Sequence, residues 1–182
     1  IFNSQLGTVR EKVDRIQLIS LYIHKHLKMS DNLKQKIKSA AYLCKCDLVS
    51  NMVREFPSLQ GTMGKYYVSK AGADNEVAQS IEDHYRPNGP NDYVPNIEVS
   101  MIIALADKID TLVGFFSINE KPTGSKDPFA LRRMALGVIR IINENKLSLD
   151  LMPIIQESYS LYKNIDKKDN LDNVILELTA IF

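Results

Sequence analysis

Basic side chains gathered around the start of one predicted helix are the residues best suited to chemistry in this sequence. Lys126, Arg132 and Arg133 lie within residues 121–140, where five basic residues accompany a single acid. That acid, Asp127, can cap the free amides of the helix. Because lysine and arginine side chains neutralise phosphate groups, this segment predicts contact with an anionic partner such as RNA.

Two further regions supply residues of the same kind. Lys65 and Arg86 add positive charge, and Tyr66 and Tyr67 offer rings that can stack on unpaired bases. Taken singly, each side chain also has a simpler interpretation as a solvated residue or as part of the helix packing. The candidate RNA-binding residues are Lys65, Arg86, Lys126, Arg132 and Arg133.

Acidic, thiol and imidazole groups suggest a second kind of chemistry, the binding of a divalent metal ion. Cys46 and Asp47 are adjacent on one predicted helix, and Asp107 lies on another. His84 precedes a loop that contains proline. A hard divalent ion needs several converging oxygen or imidazole ligands, and two carboxylates with one histidine are too few. We therefore expect no bound metal.

Asp107 needs a partner in any case. It lies on a mostly apolar helix, where a carboxylate is unfavourable unless a cation or hydrogen-bond donors accompany it. A structural ion pair is the plain interpretation, and a functional one is the alternative. The candidate partners are Lys45, His84 and Arg132.

Motifs for covalent or nucleotide chemistry are missing from the sequence. Neither Cys44 nor Cys46 has an evident histidine partner, and there is no Gly-x-Ser-x-Gly motif. A phosphate-binding Gly-x-x-x-x-Gly-Lys loop is also absent. We therefore assign no catalytic residue and expect this chain to bind no cofactor.

Helical periodicity runs through nearly the whole chain. Apolar residues recur at spacings of three, four and seven from Val9 to Leu27, which puts them on one helix face. The stretch from Ile97 to Phe116 is apolar on almost every side and predicts a buried central helix. Pro128 is expected at the first position of the basic helix, where its missing N–H costs nothing. The other predicted elements are helices at residues 33–48, 75–84, 128–145, 152–162 and 171–181 and an ordered proline-rich loop at residues 86–96.

The composition favours a folded protein outside the membrane. With 182 residues, of which 45% are hydrophobic, the chain can bury a core. No segment approaches the roughly 20 consecutive apolar residues that span a bilayer. Two cysteines are too few for a disulfide framework and indicate a reducing, cytoplasmic setting. The chain begins with Ile1 rather than methionine, and both ends are expected to continue in a longer protein.

Two helices resemble parts of the HD domains, a family of helical, metal-dependent phosphohydrolases. Residues 40–47 resemble the helix with the His-Asp doublet, but Cys46 takes the place of the histidine. Residues 104–110 resemble the helix with the final aspartate. The resemblance implies an all-α, HD-domain-like helical bundle with a degenerate metal site. That site would consist of Cys46, Asp47, His84 and Asp107.

Six sequence blocks, in order, resemble the beta subunit of bacterial glycyl-tRNA synthetase. These blocks are residues 6–16, 45–56, 59–67, 81–87, 104–114 and 121–133. A single block would be a weak signal, but the ordered set is highly specific. Together the blocks cover roughly residues 5–145 of the chain.

The resemblance implies a bacterial synthetase of alpha and beta chains. The alpha chain would adenylate glycine with ATP, and the beta chain would be needed for aminoacylation and would handle the tRNA. Residues 1–145 would form an HD-like domain, and residues 146–182 would be further helices that continue toward the next region of the beta subunit. The expected partners are glycine tRNA and the alpha subunit, without a membrane.

Two alternatives stay open at this point. The first is a metal-dependent HD-type phosphohydrolase that cleaves nucleotides or phosphoesters, which metal analysis would reveal. The second is a purely structural docking module for the alpha subunit. Phe129, Tyr66 and Tyr67 would then act as interface anchors rather than as RNA platforms.

Overall fold

The computed structural model describes residues 2–182, and in this range the protein is all helical. The predicted all-α class is therefore confirmed. The α-helices are α1 Val9–Leu27, α2 Leu33–Leu43, α3 Asn51–Glu55, α4 Thr62–Lys70, α5 Asn75–Asp83, α6 Glu98–Ser117, α7 Leu131–Glu144, α8 Leu151–Leu161 and α9 Leu171–Ile181. Two short 3₁₀ helices, Cys46–Val49 and Pro57–Leu59, flank α3.

The central element of the fold is α6. All of its residues from Val99 to Ser117 are buried, as the sequence predicted from its apolar character. The helices α1, α2, α5, α7, α8 and α9 pack around it. A helix that is apolar nearly all round can only be accommodated in this way, because every face must be withdrawn from water. Within residues 2–182, no helix combines the length and the apolar character needed to cross a membrane.

The end of α8 is fastened to α6 through one tyrosine. The Tyr162 hydroxyl donates a hydrogen bond of 2.8 Å to the backbone carbonyl of Asp110. Gly114 permits this approach, because a Cβ at that position would collide with the Tyr162 ring. Val174 and Leu178 of α9 lie in the same hydrophobic core as α6. The predicted division into residues 1–145 and 146–182 stays a prediction.

The start of α7 differs from the sequence prediction. Pro128 lies outside the helix, which begins three residues later at Leu131. Ala130, just before the helix, has a φ of 55°. This value lies in the left-handed region, so Ala130 cannot be part of the right-handed helix. The predicted capping by Asp127 is nevertheless confirmed, because its carboxylate accepts hydrogen bonds from the backbone N–H groups of Leu131 (2.8 Å) and Arg132 (3.0 Å).

The second helix also ends earlier than its apolar pattern suggests. It stops at Leu43, and a 3₁₀ helix follows from Cys46 to Val49. The proline-rich loop is ordered as predicted, since Asp92 accepts a hydrogen bond of 2.6 Å from the backbone N–H of Asn88. Arg140 of α7 holds this loop by donating to two of its backbone carbonyls. The loop thereby becomes a fixed wall beside α6.

Candidate functional site

A cleft of about 420 Å³ lies between α1, α6, the proline-rich loop and the start of α7, and we refer to it as the basic cleft. Its charged and polar lining includes Lys12, Lys45, His84, Asp107, Lys108 and Arg133. Three aromatic rings, those of Phe2, Phe115 and Phe129, form an apolar wall. The cleft therefore combines several cations with a flat hydrophobic surface.

Lys45 sits between a carboxylate and an imidazole at the base of the cleft. Its Nζ donates to Asp107 Oδ2 at 2.9 Å and lies 2.9 Å from His84 Nε2. His84 Nδ1 lies 2.6 Å from the Ile81 carbonyl, which can only accept, so Nδ1 carries the proton and Nε2 accepts from Lys45. Burial and the Lys45 charge together hold the pKa of His84 well below 6.5, and the ring is neutral.

A second lysine reaches the same carboxylate from α1. Lys12 Nζ lies 2.9 Å from Asp107 Oδ1 and 3.0 Å from Asp110 Oδ2, and it donates to the Thr111 hydroxyl at 2.7 Å. Burial by itself would raise the pKa of Asp107, but the ammonium groups of Lys12 and Lys45 outweigh it and hold that pKa well below 3.8. Asp107 is therefore ionised and neutralised by two cations.

Asp110 completes this group of charges. It is fully buried and accepts hydrogen bonds from Arg15 Nε at 2.7 Å and Arg15 Nη2 at 3.3 Å. The Arg15 guanidinium also lies over the Tyr162 ring, 3.9 Å from its centroid. We call the set of Lys12, Arg15, Lys45, Lys108, Asp107 and Asp110 the buried charge cluster.

Lys108 is the member of the cluster that contacts no carboxylate. Its Nζ donates to the backbone carbonyls of His84 (3.1 Å) and Arg86 (2.8 Å). Burial lowers the pKa of Lys108 to about 8. Gly137 on α7 makes room for the lysine stem, since a Cβ there would lie 2.9 Å from Lys108 Cε. The ammonium group is thus held in place by neutral acceptors alone.

The four residues expected at a degenerate metal site separate into two pairs. His84 and Asp107 share the cleft, with 4.0 Å between Nε2 and Oδ2. Asp47 instead accepts hydrogen bonds from the backbone N–H groups of Gly61 (2.6 Å) and Gly64 (3.0 Å) at the start of α4. Cys46 packs against the small apolar cluster formed by α4 and α5, and burial raises the pKa of its thiol.

These residues do not fit a divalent metal ion. In the described part of the chain, no group of three or more histidine, cysteine, aspartate or glutamate side chains converges as metal ligands would. The ammonium group of Lys45 contacts both the imidazole of His84 and the carboxylate of Asp107, at 2.9 Å from each. A lysine cation therefore occupies the space where those two groups would jointly bind a metal.

The partner of Asp107 was predicted in part. Lys45 is confirmed as a direct ion-pair partner, whereas Arg132 is exposed on α7 and was a wrong candidate. The roles of Lys12 and Arg15 on α1 and of Asp110 on α6 were missed. A signal was present, since Lys12 and Arg15 are three residues apart, as are Asp107 and Asp110. Residues with this spacing share a helix face, so two basic and two acidic groups could have been matched.

The five candidate RNA-binding residues have different surroundings. Lys65 forms an ion pair of 2.8 Å with Glu82 of α5, and Arg86 donates to both oxygens of Asp92. Both cations are therefore partly neutralised within the protein. The three candidates near the start of α7 are exposed, and among residues 2–182 their side chains form no ion pair. These three are Lys126, Arg132 and Arg133.

Arg132 and Arg133 are neighbours that face different surroundings. Arg133 lines the basic cleft, and Arg132 does not. Tyr66 and Tyr67 on α4 are 53% and 38% exposed, with their rings edge to face at 6.1 Å. The fold and the site together define an all-helical domain whose charged cleft presents cations instead of a set of metal ligands.

Comparison with known proteins places the domain in a family. Residues 1–180 match the sequence model of the family described as glycyl-tRNA synthetase beta subunit. Because this match covers almost the entire chain, the chain belongs to that family. The family predicted from the six ordered sequence blocks is thereby confirmed.

Individual relatives agree with the family match. The chain is 51% identical over 175 residues to the glycine–tRNA ligase beta subunit of Rickettsia typhi and 54% identical over 174 residues to that of Rickettsia canadensis. It is 43% identical over 178 residues to that of Syntrophomonas wolfei. These alignments cover 96% to 98% of this chain but only 25% to 26% of each relative. The chain therefore spans about a quarter of the length of the curated relatives it matches.

Proposed function

We propose that this chain is a tRNA-handling region of a glycyl-tRNA synthetase beta subunit, which supports the aminoacylation of glycine tRNA in the cytoplasm. The complete synthetase uses ATP and includes an alpha subunit, whereas this region supplies no catalytic residue and binds no cofactor for that reaction. The exposed cations at the start of α7 contact backbone phosphates near the acceptor arm and help to deliver the 3′ end to the alpha subunit.

The observation that carries this proposal is the availability of three cations. Lys126, Arg132 and Arg133 are exposed, and within the described residues no acidic side chain neutralises them. Lys65 and Arg86 fit the role less well, because each is already paired with a carboxylate. A surface arginine without an internal partner is free to displace counterions from a phosphate backbone.

The test uses the full-length beta subunit assembled with the alpha subunit. Binding of glycine tRNA is measured across a salt series for the parent protein and for the Arg132→Ala, Arg133→Ala double variant. Two lost phosphate contacts should reduce the slope of log affinity against log salt by about 1.5 and weaken binding about tenfold at low salt. An unchanged tRNA affinity and an unchanged slope would contradict the proposal.

A matched control distinguishes the loss of a specific contact on α7 from the general loss of positive charge. Arg54 on α3 is also exposed and forms no ion pair among the described residues. Arg54→Ala removes the same charge from another part of the surface. Its tRNA affinity and salt dependence should equal those of the parent protein, since the proposal assigns no RNA contact to α3.

The fold supports an HD-like origin for the region. His84 and Asp107 lie side by side at the base of a helical bundle, and Lys45 lies between them. We infer that the degenerate metal site survives as an internal ion pair. A metal-dependent phosphohydrolase is disfavoured because Asp47 Oδ2 accepts two backbone hydrogen bonds at the start of α4 and Cys46 packs against the small apolar cluster of α4 and α5.

Docking of the alpha subunit is a second candidate function. Apolar side chains are exposed on α4 and directly after α3, among them Tyr66 at 53% and Phe56 at 54%. Phe129 does not belong to this surface, because it stacks on Phe115 in the basic cleft. Replacing Tyr66 and Tyr67 with alanine should dissociate the assembly before it weakens tRNA binding, as measured by sedimentation and by tRNA titration.

A further inference from the structure

The buried charge cluster contains more cations than carboxylates. Lys12, Arg15, Lys45 and Lys108 are buried beside only two acids, Asp107 and Asp110. The other titratable groups in contact with the cluster, His84, Tyr85 and Tyr162, are neutral, because burial lowers the pKa of the imidazole and raises the pKa of both phenols. The cluster therefore has two positive charges that no contacting carboxylate balances. Buried charge without a counter-charge is unfavourable, so an anion bound in the adjoining cleft would be stabilised.

The unbalanced charge is available to a ligand in the basic cleft. A lysine ammonium has three N–H donors. Lys108 uses two of them on the carbonyls of His84 and Arg86, and Lys45 uses two on Asp107 and His84. Both lysines line the cleft. Lys108 keeps its third donor, whereas the Lys45 ammonium group also lies 4.2 Å from the centroid of the Tyr85 ring. Arg133 adds an exposed guanidinium at the same cleft, without an ion-pair partner among residues 2–182.

The aromatic lining of the cleft suits a flat apolar group. The rings of Phe115 and Phe129 are stacked with their centroids 4.2 Å apart and their planes at 25°. Phe2 meets Phe115 edge to face at 6.2 Å. Aromatic side chains of this kind stack on nucleobases. The volume of about 420 Å³ is within the range of small-molecule sites, which begins at about 300 Å³.

We propose that the basic cleft binds a nucleotide, with its phosphate beside Lys108 and Arg133 and its base against Phe129. The cations match the phosphate of a nucleotide and the aromatic wall matches its base, and neither feature alone would distinguish a nucleotide from other ligands. The nucleotide is either a free mononucleotide or the unpaired terminal nucleotide of an RNA, since both present the same phosphate and base. This site goes beyond the phosphate-backbone contacts proposed for Lys126, Arg132 and Arg133, because it adds a pocket for one nucleotide in which Arg133 takes part and Arg132 does not.

The first experiment titrates adenosine monophosphate into the full-length beta subunit without its alpha subunit and measures the heat of binding. Arg133→Ala should weaken binding at least about tenfold, because it removes a charged hydrogen-bond donor. Arg132→Ala is the matched control and should leave the affinity within about twofold, since Arg132 does not line the cleft. The proposal is overturned if millimolar adenosine monophosphate gives no binding, or if both variants weaken it equally.

A second experiment tests the aromatic half of the site. Phe129→Leu keeps an apolar side chain but removes the stacking surface. It should weaken binding of adenosine monophosphate several-fold and leave the weaker binding of inorganic phosphate unchanged. Equal losses for both probes would overturn the assignment of Phe129 to the base.

Competition identifies the source of the nucleotide. A hairpin RNA with an unpaired 3′ end is added to the beta subunit loaded with adenosine monophosphate, and a blunt hairpin serves as control. Displacement by the unpaired end alone indicates that the site takes an RNA terminus. Retention of adenosine monophosphate with both hairpins indicates a free mononucleotide. Displacement by both hairpins to the same extent would contradict a site for a single nucleotide.

Failure of the nucleotide site can be distinguished from failure of the proposed tRNA-handling function. The tRNA salt series reports phosphate contacts at Arg132 and Arg133 together, whereas the mononucleotide titration reports Arg133 alone. A normal tRNA salt slope in the double variant, with Arg133-dependent binding of adenosine monophosphate, would remove the proposed tRNA role and retain the cleft. The reverse pattern would retain the tRNA role and remove the cleft.

Discussion

The basic residues of the buried charge cluster and the exposed cations at the start of α7 are all lysines and arginines, but they differ in their surroundings. In the cluster, Lys12 and Arg15 are fixed by Asp110 in the interior. On α7, Arg132 and Arg133 extend into solvent. The difference shows that position in the fold decides whether a basic residue holds the protein together or remains available to a partner.

The two regions should respond differently to substitution. Removing one member of a buried ion pair leaves the other charge in a poorly solvated place, which destabilises the folded state. Removing an exposed charge leaves only a solvated surface, which has little effect on folding. Stability measurements can therefore test whether the two regions differ in this way.

The largest effect is expected from Asp110→Asn. The substitution keeps the shape of the side chain but removes the charge that pairs with Lys12 and Arg15. The free energy of unfolding should fall by about 3 to 5 kcal/mol. Chemical denaturation of the chain, followed by circular dichroism, measures this change.

The control for this prediction is Asp14→Asn. Asp14 forms an ion pair of 3.0 Å with Arg10, but both side chains are at least half exposed. The loss should stay below about 1 kcal/mol. If the two substitutions destabilised the chain equally, burial would not distinguish structural from available charges.

A smaller, pH-dependent effect is expected from Lys108→Met. Burial lowers the pKa of Lys108 to about 8 from its ordinary value of 10.5. Between these values the unfolded chain binds a proton that the folded chain has released, so the parent protein gains stability as the pH rises. Relative to the Lys108→Met variant, it should gain up to about 3 kcal/mol across this window.

Denaturation of both proteins at pH 7, 8, 9 and 10 tests this prediction. The difference between them cancels the titration of groups that the substitution leaves untouched. Lys163→Met, at an exposed position, is the matched control and should give a difference that stays constant with pH. A constant difference for Lys108→Met as well would mean that its ammonium group is solvated rather than buried.

The smallest effect on stability is expected for Arg132→Ala and Arg133→Ala. Each should change the free energy of unfolding by less than about 0.5 kcal/mol, because neither side chain forms an ion pair among the described residues. The thermal midpoint of each variant provides the measurement. A loss above about 1 kcal/mol would show that the α7 cations are structural, as those of the cluster are.

Much of the helical framework could be predicted from local patterns. The burial of α6 follows from a run of residues that is apolar on almost every face, and α9 begins and ends where its periodicity indicates. The start of α7 could not be placed in this way. Pro128 suits a first helical position, but a turn ending in a left-handed Ala130 delays the helix to Leu131.

The candidate site was predicted less completely. Asp107 and His84 were singled out in the sequence, and they lie 4.0 Å apart in the basic cleft, where Lys45, one of the partners considered for Asp107, forms an ion pair with it. Lys65 and Arg86 looked as available as Arg133 in the sequence, yet each is paired with a carboxylate. Charge counts along a chain contain no information on such pairing, because the partners lie on other elements or across a loop.

The sequence by itself determined the helical class, the buried central helix and the membership of the glycyl-tRNA synthetase beta subunit family. The helical class and the buried helix follow from the spacing of apolar residues, and the family follows from the resemblance of the six ordered sequence blocks. Only the tertiary structure decided that Lys12 and Arg15 meet Asp110, almost a hundred residues away. It also decided that Arg133 lines the cleft while Arg132 does not. The physical reason is that helical periodicity is a local property, whereas ion pairs and clefts depend on which helix faces pack together.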